Sequence, residues 1–159
     1  RIYRESYGLF ISNGILFNHE SIFRTKNFFV KKLISQSVSL YKSEIDFIEL
    51  GNLDIKRDFG YAPDYVEAMW QMLQIDTPDD FIICSGKSIS LRAIVEYVFN
   101  KLKLRIDLLK INREFYRPND IPEIYGDNSK AKSILNWNYK RDFFDVLDIL
   151  IDHELKIRS

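Results

Sequence analysis

Leu50-Gly-Asn-Leu-Asp-Ile-Lys-Arg-Asp-Phe-Gly-Tyr-Ala-Pro-Asp-Tyr-Val-Glu-Ala-Met-Trp70 sets a strand end, a charged segment and a helix start in immediate succession. An apolar run, Ile45 to Leu50, enters it as a strand and stops at Gly51 and Asn52. Lys56, Arg57 and Asp58 then stand side by side in a charged strand or loop. Pro63 suits the first turn of a helix, where its missing N–H costs nothing and its φ is already helical. Asp64 adds a carboxylate near the positive end of the helix dipole. Val66, Met69, Trp70 and Leu73 recur at helical spacing, which predicts one buried face. Arg57 lies close to this helix start, where backbone N–H groups and a guanidinium could meet one anion. Its residue chemistry alone favours a plainer role, a pair with Asp58 or Asp54 on a solvated turn.

Outward from this stretch, helices and strands alternate. Arg1 to Tyr7 reads as the last turns of a helix closed by Gly8. Leu9 to Ile11 and Ile15 to Phe17 read as an interrupted buried strand. Asn18-His19-Glu20-Ser21 follows that strand end, where ligands usually bind in an α/β sheet. Phe28 to Tyr41 fits a helix, with Phe29, Leu33, Val38 and Tyr41 among its apolar positions. Phe81 to Cys84 is a short buried strand. Ser90 caps a helix with Leu91, Ile94, Val95, Val98 and Leu102 on one face. Ile106 to Leu109 is read as a strand and Arg113 to Gly126 as a loop. Asp127 can cap a short helix from Ser129 to Leu135. Asp142 opens a final helix with Phe143, Val146, Leu147, Leu150 and Ile151 inward. The alternation gives an α/β class. A start on a helix end and a central strand predicts that residue 1 is a cut inside a larger protein.

Composition excludes several classes. The chain has 159 residues, 46% hydrophobic and 29% charged, which is globular rather than disordered. Its 23 basic residues balance 23 acidic ones, so neither nucleic acid nor an acidic membrane is expected as a partner. No apolar run approaches the length that spans a bilayer. The single cysteine, Cys84, rules out an internal disulfide and fits a reducing compartment. A cytoplasmic protein is expected. The two histidines, His19 and His153, lie far apart, and no His/Cys/carboxylate cluster has metal-ligand spacing. His153 is read as exposed on the last helix. The six glycines never approach a phosphate-cradling spacing. Tyr97 and Lys101 match a Tyr-x-x-x-Lys pattern, but the pattern is short, common by chance and follows the strands it should precede. Arg117, pinned before Pro118 in an irregular loop, suits an anion or ribose contact; an ordinary loop cation fits its spacing equally well.

Three segments together resemble the GDP-mannose 4,6-dehydratase family of the extended short-chain dehydrogenase/reductases. They are Tyr3-Arg-Glu-Ser-Tyr-Gly-Leu-Phe with Asn13-Gly-Ile-Leu-Phe-Asn-His-Glu-Ser21, Leu50 to Gly60 with Asp64-Tyr-Val-Glu-Ala-Met-Trp70, and Tyr116-Arg-Pro with Gly126-Asp-Asn-Ser-Lys-Ala-Lys132 and Trp137. The resemblance covers essentially the whole chain. It implies the C-terminal part of such an enzyme, a remnant of the Rossmann sheet plus the small α/β substrate-binding domain. The family's glycine-rich loop, its Tyr-x-x-x-Lys pair and its catalytic Thr and Glu would lie upstream of residue 1, so no catalytic residue is expected here.

The family oxidises C4 of a GDP-hexose with NADP⁺, eliminates water across C5 and C6, and returns the hydride to C6. The resemblance implies cofactor contacts for His19 and Arg24. It implies sugar or phosphate contacts for Asn18 and Lys32, a diphosphate contact for Arg57, and nucleotide contacts for Arg117 and Asp120. The parent is expected to act as a homodimer or homotetramer. Departures are visible. Ile22-Phe23-Arg24-Thr25 replaces the family's Pro-Arg-Arg-Gly, losing one arginine and putting cofactor-mediated contact between subunits in doubt. Asp120 stands where the family has Glu, and the usual insertion between Leu109 and Tyr116 is missing. Arg117-Pro-Asn-Asp-Ile-Pro also resembles the sister reductases that act on GDP-4-keto-6-deoxymannose. A GDP-heptose 4,6-dehydratase and a stand-alone, non-catalytic nucleotide-sugar binding module complete the alternatives.

Overall fold

The structure, a computed structural model, describes residues 1–158. Its larger core is built by three helices, α2 (Phe29–Tyr41), α4 (Leu91–Lys101) and α6 (Phe143–Ile157). They pack around two short strands, β3 (Ile48–Leu50) and β4 (Lys56–Tyr61). The inward residues expected of α6, Phe143, Val146, Leu147, Leu150 and Ile151, are all buried, as are Leu91, Ile94, Val95, Val98 and Leu102 of α4 and its C-cap. Each fully buried aliphatic side chain contributes roughly 1.5–3 kcal/mol. The caps follow the sequence. Ser90 Oγ accepts from Ala93 N at 3.1 Å and Asp142 Oδ1 from Phe144 N at 2.8 Å. His153 is half-buried rather than exposed.

A second, smaller core lies under α3 (Ala62–Gln71). Here β1 (Asn13–Leu16) pairs in parallel with β5 (Asp80–Ile83), Gly14 opposite Phe81. Two expectations fail in this part. Residues 9–11 form no strand and Ile15 is 57% exposed, so the stretch is not a buried strand. The predicted buried face of α3 points outward, with Val66, Met69, Trp70 and Leu73 all exposed. Tyr65, Ala68 and Met72 take the inward positions, against Phe81, Ile83 and Trp137. The physical reason is that α3 is apolar on two faces, and the two-stranded β1–β5 sheet supports one of them. Gly60 makes the inward packing possible: a Cβ there would lie 2.3 Å from the Tyr65 ring.

The central strand is β4. It pairs in parallel with β2 (Asn18–Glu20), His19 opposite Gly60, and antiparallel with β6 (Ser88–Ser90), Arg57 opposite Ile89. It also pairs in parallel with β8 (Glu123–Ile124), Arg57 opposite Ile124. Strand β7 (Leu109–Ile111) lies beside β3 and starts three residues later than the expected strand, because a 3-10 turn occupies Ile106–Leu108. The remaining helices are α1 (Ile2–Tyr7), closed by Gly8 at φ 62°, and α5 (Ser129–Ile134), where Asp127 Oδ1 accepts from Ser129 N at 2.9 Å.

Buried Asp58 ties β4 to its surroundings. Its Oδ1 accepts from Ser85 N at 2.9 Å and Ser85 Oγ at 2.7 Å, and its Oδ2 accepts from Gly86 N at 2.9 Å and Gly126 N at 3.4 Å. A strand alternates faces with a period of two. Asp58 therefore points away from Arg57 and cannot be its partner, which removes one of the plain roles expected of Arg57. Asp54 is also engaged elsewhere, with Arg92 at 2.6 Å.

Candidate nucleotide-binding cleft

A cavity of about 290 Å³ opens where β2, β4, the end of β3 and the loop 113–122 meet. Asn18, Arg24, Arg57, Arg117 and Asp120 all line it, with Glu20, Asn52 and Phe115 among their neighbours. Five of the seven residues singled out in the sequence thus share one space, although 102 positions separate Asn18 from Asp120. A larger, more open groove of about 500 Å³ beside Asp64, Trp137 and Arg141 holds none of them.

Strand geometry explains the grouping. Asn18 and Glu20 sit two apart on β2 and so face the same side, which is the cavity. Asn18 Nδ2 donates to the Asp58 carbonyl at 3.2 Å, fixing the amide against β4. Gly51 directly follows β3 beside Phe115. A Cβ there would come within 3.0 Å of the Phe115 carbonyl, so glycine lets Phe115 approach.

Arg57 is the most constrained cation. Its Nη1 donates to the carbonyls of Lys56 and Ile121, both at 2.7 Å, and its Nη2 to Asp120 Oδ1 at 2.6 Å. The partner is Asp120 rather than Asp54 or Asp58, and the setting is a strand rather than a solvated turn. The expected closeness of Arg57 to the α3 start is also corrected. Strand β4 runs on to Tyr61 before α3 begins, at about 3.3 Å per residue, so the two sit at opposite ends of β4. Three of the five N–H donors of Arg57 are thus taken within the protein, and the helix terminus does not stand beside the two that remain.

Two selected residues lie outside this cavity. His19, between Asn18 and Glu20, faces the other side of β2. Its Nδ1 is 2.7 Å from the Phe17 carbonyl and its ring lies 5.2 Å from that of Tyr65. Lys32 lines an adjoining groove with Lys26 and Asn27, its Nζ 5.0 Å over the Phe115 ring. Lys32 therefore reaches the cavity wall through Phe115, whereas His19 and Arg24 do not form a joint contact.

Tyr97 and Lys101 have no part in the site. The Tyr97 hydroxyl donates to Asp148 Oδ1 at 2.8 Å and Lys101 Nζ donates to Asp148 Oδ2 at 3.0 Å. Burial, with Asp148 accepting its hydrogen bond, pushes the Tyr97 phenol up to about 12, the opposite of what proton transfer near neutrality needs. Cys84 is buried beside Gly126, and burial pushes its thiol up to about 12, consistent with a packing role. Among the described residues, no group of three or more His, Cys, Asp or Glu is placed to hold a metal ion.

The profile of the family described as GDP-mannose 4,6 dehydratase matches residues 1–150. The chain belongs to this family. It is 36% identical to GDP-mannose 4,6 dehydratase of Drosophila melanogaster, over 98% of the chain and 44% of that protein. GDP-mannose 4,6 dehydratase 2 of Arabidopsis thaliana is 39% identical over 98% of the chain and 42% of its own length. The chain thus spans a little under half the length of these relatives. Among solved structures, RMD from Pseudomonas aeruginosa complexed with NADPH superposes with a TM-score of 0.85 at 16% identity, over 98% of the chain and 51% of that one. DesIV, a dTDP-glucose 4,6-dehydratase from Streptomyces venezuelae with NAD and TYD bound, gives 0.85 at 14% identity, over 98% and 47%. These two establish the fold: the chain has the architecture of part of an extended short-chain dehydrogenase/reductase.

Glu20 stands in the stretch read from the sequence as a ligand-binding strand end, but was given no role of its own. It is 2% exposed, yet it lines the cavity between Asn18 and Arg24. The signal was available in the alternation of β2, which puts Glu20 on the same face as Asn18. Phe115 was missed too, and nothing local distinguishes it from the other aromatic residues of its loop.

Proposed function

We propose that this chain is the C-terminal, substrate-binding part of an NADP-dependent GDP-mannose 4,6-dehydratase, a lyase that makes GDP-4-keto-6-deoxymannose. The observation that carries the reading is the convergence of Asn18, Arg24, Arg57, Arg117 and Asp120 on one cavity. Three guanidiniums around one space suit a diphosphate, and a planar fork can hold two phosphate oxygens at once. In this reading Arg57 binds the diphosphate and Asp120 fixes the Arg57 fork. Arg117 meets the nucleotide end, and Asn18 and Lys32 meet the sugar or phosphates.

NADP⁺, when bound, supplies the hydride acceptor of the reaction. Arg24 fits a contact to that anionic cofactor, because its guanidinium lines the cavity and its buried Nε has no hydrogen-bond partner. His19 would meet the cofactor from the opposite face of β2. The chain itself holds no glycine-rich phosphate loop, so the larger grip on the cofactor, and the proton-transferring residues, are assigned to the rest of the intact protein. These 159 residues alone are accordingly expected to turn over nothing. General acid–base catalysis by side chains typically contributes about 10²–10⁴-fold. The intact protein is read as a cytoplasmic homodimer or homotetramer. Among the described residues no helix is long and apolar enough to cross a membrane.

The test is turnover of GDP-mannose by the intact protein with NADP⁺, with the product followed by mass. Release of GDP-4-keto-6-deoxymannose supports the reading. Preference for a GDP-heptose, reduction of GDP-4-keto-6-deoxymannose, or GDP binding without turnover would each replace it.

A further inference from the structure

Glu20 and Arg24 share an unusual arrangement beneath the cleft. Glu20 Oε2 and Arg24 Nε are both buried, and neither has a hydrogen-bond partner. They lie 3.8 Å apart, an ion pair just beyond hydrogen-bond reach. The guanidinium also meets an aromatic ring. Its central carbon sits 3.4 Å from the centroid of the Phe28 ring, in cation–π contact. Arg24 therefore contacts both a carboxylate and an aromatic face, and Glu20, Arg24 and Phe28 all line the cavity.

We infer that Glu20 is a positioning residue for Arg24, holding the guanidinium against Phe28 so that its terminal nitrogens present to a phosphate-bearing dinucleotide. The burial of Glu20 and the ion pairs around the cavity support the inference. A carboxylate that is 2% exposed is costly unless something compensates it. The other charged groups of the cavity are Arg57, Asp120 and Arg117. Arg57 is already committed to Asp120, so Arg24 is the cation within ion-pair distance of Glu20. Arg24 in turn has no other carboxylate among its described ion pairs. Burial pushes the Glu20 carboxyl up to about 7, and the positive charge of Arg24 draws it back down. The 3.8 Å gap needs only a small movement of either side chain to become a charge-assisted hydrogen bond.

The inference rests on the reading that Arg24 meets the cofactor, and the experiment separates the two. NADP⁺ and GDP are titrated calorimetrically into the intact protein. Variants are Arg24→Ala, Glu20→Met, Glu20→Gln and the double variant Arg24→Ala with Glu20→Met. Methionine fills the glutamate volume without a strong acceptor, and glutamine retains an acceptor oxygen. Glu20→Met should weaken NADP⁺ binding about tenfold and GDP binding less than twofold. Glu20→Gln should recover most of the loss, and in the Arg24→Ala background Glu20→Met should add nothing. Equal losses for NADP⁺ and GDP, or an undiminished effect in the Arg24→Ala background, would overturn the inference and leave Glu20 a residue of the fold. Unchanged NADP⁺ affinity in Arg24→Ala alone would instead overturn the reading of Arg24, and the inference with it.

Discussion

Arg57 Nη2 donates to Asp120 Oδ1 at 2.6 Å, across 63 residues of sequence, and the two side chains are only 14% and 16% exposed. A pair this sheltered is screened less by water and salt than one on an open surface. It orients the guanidinium before any ligand arrives. Preorganisation of this kind strengthens binding by lowering the ordering cost.

If Asp120 acts through Arg57, the two residues behave as one unit in a double-mutant cycle. Asp120→Ala should weaken GDP binding by the intact protein. The double variant Arg57→Ala with Asp120→Ala should bind no more weakly than Arg57→Ala alone. The coupling should be about 1 kcal/mol or more, within the usual range for residues in contact. Additive losses in calorimetric titration would mean that Asp120 meets the nucleotide independently.

Asp58 is expected to matter for stability rather than for ligand contact. It is fully buried and accepts from the backbone N–H groups of Ser85 and Gly86. Asp58→Ala strands those donors, at about 1–3 kcal/mol for each buried unsatisfied group. A loss of about 3 kcal/mol or more is predicted by urea denaturation, with a smaller loss for Asp58→Asn, which keeps one acceptor oxygen. Stability within about 0.5 kcal/mol of the parent in Asp58→Ala would contradict the hydrogen-bond account of the Ser85–Gly86 turn.

Tyr97→Phe should leave turnover by the intact protein unchanged at every pH where the enzyme works. Its hydroxyl serves Asp148, and its phenol is pushed up to about 12, so it stays protonated across neutral pH. Deleting that half-exposed hydrogen bond should lower stability by about 0.5–1.5 kcal/mol. A fall in turnover with pH-profile displacement would instead place Tyr97 in the catalytic machinery.

Much of the helical part was legible in the sequence because its helices carry one apolar face each. The a/d-like spacing in α4 and α6 has a single solution, and Ser90 and Asp142 mark both starts with real capping bonds. Helix α3 was legible as a helix but not in its orientation. Val66, Met69, Trp70 and Leu73 make as good a stripe as Tyr65, Ala68 and Met72, and only the neighbours decide which is covered. The cleft was legible through family wording more than through local chemistry. Spacing offered Asp54 and Asp58 as partners for Arg57. The strand's alternation removed Asp58, and a distant loop supplied Asp120. Glu20 stayed hidden because a single carboxylate in a polar strand end looks solvated until its burial is known.

The most direct test of the cleft is titration of GDP into the intact protein carrying Arg57→Ala or Arg57→Lys. Losing hydrogen bonds to a charged group costs about 1.5–3 kcal/mol. Arg57→Ala should therefore weaken GDP binding by roughly ten- to a hundredfold, with NADP⁺ affinity changed much less. Arg57→Lys should recover part of the loss, because an ammonium keeps the charge and lacks the fork. Unchanged GDP affinity in a folded Arg57→Ala protein would contradict the account and reduce Arg57 to a structural clamp between β4 and the Asp120 loop.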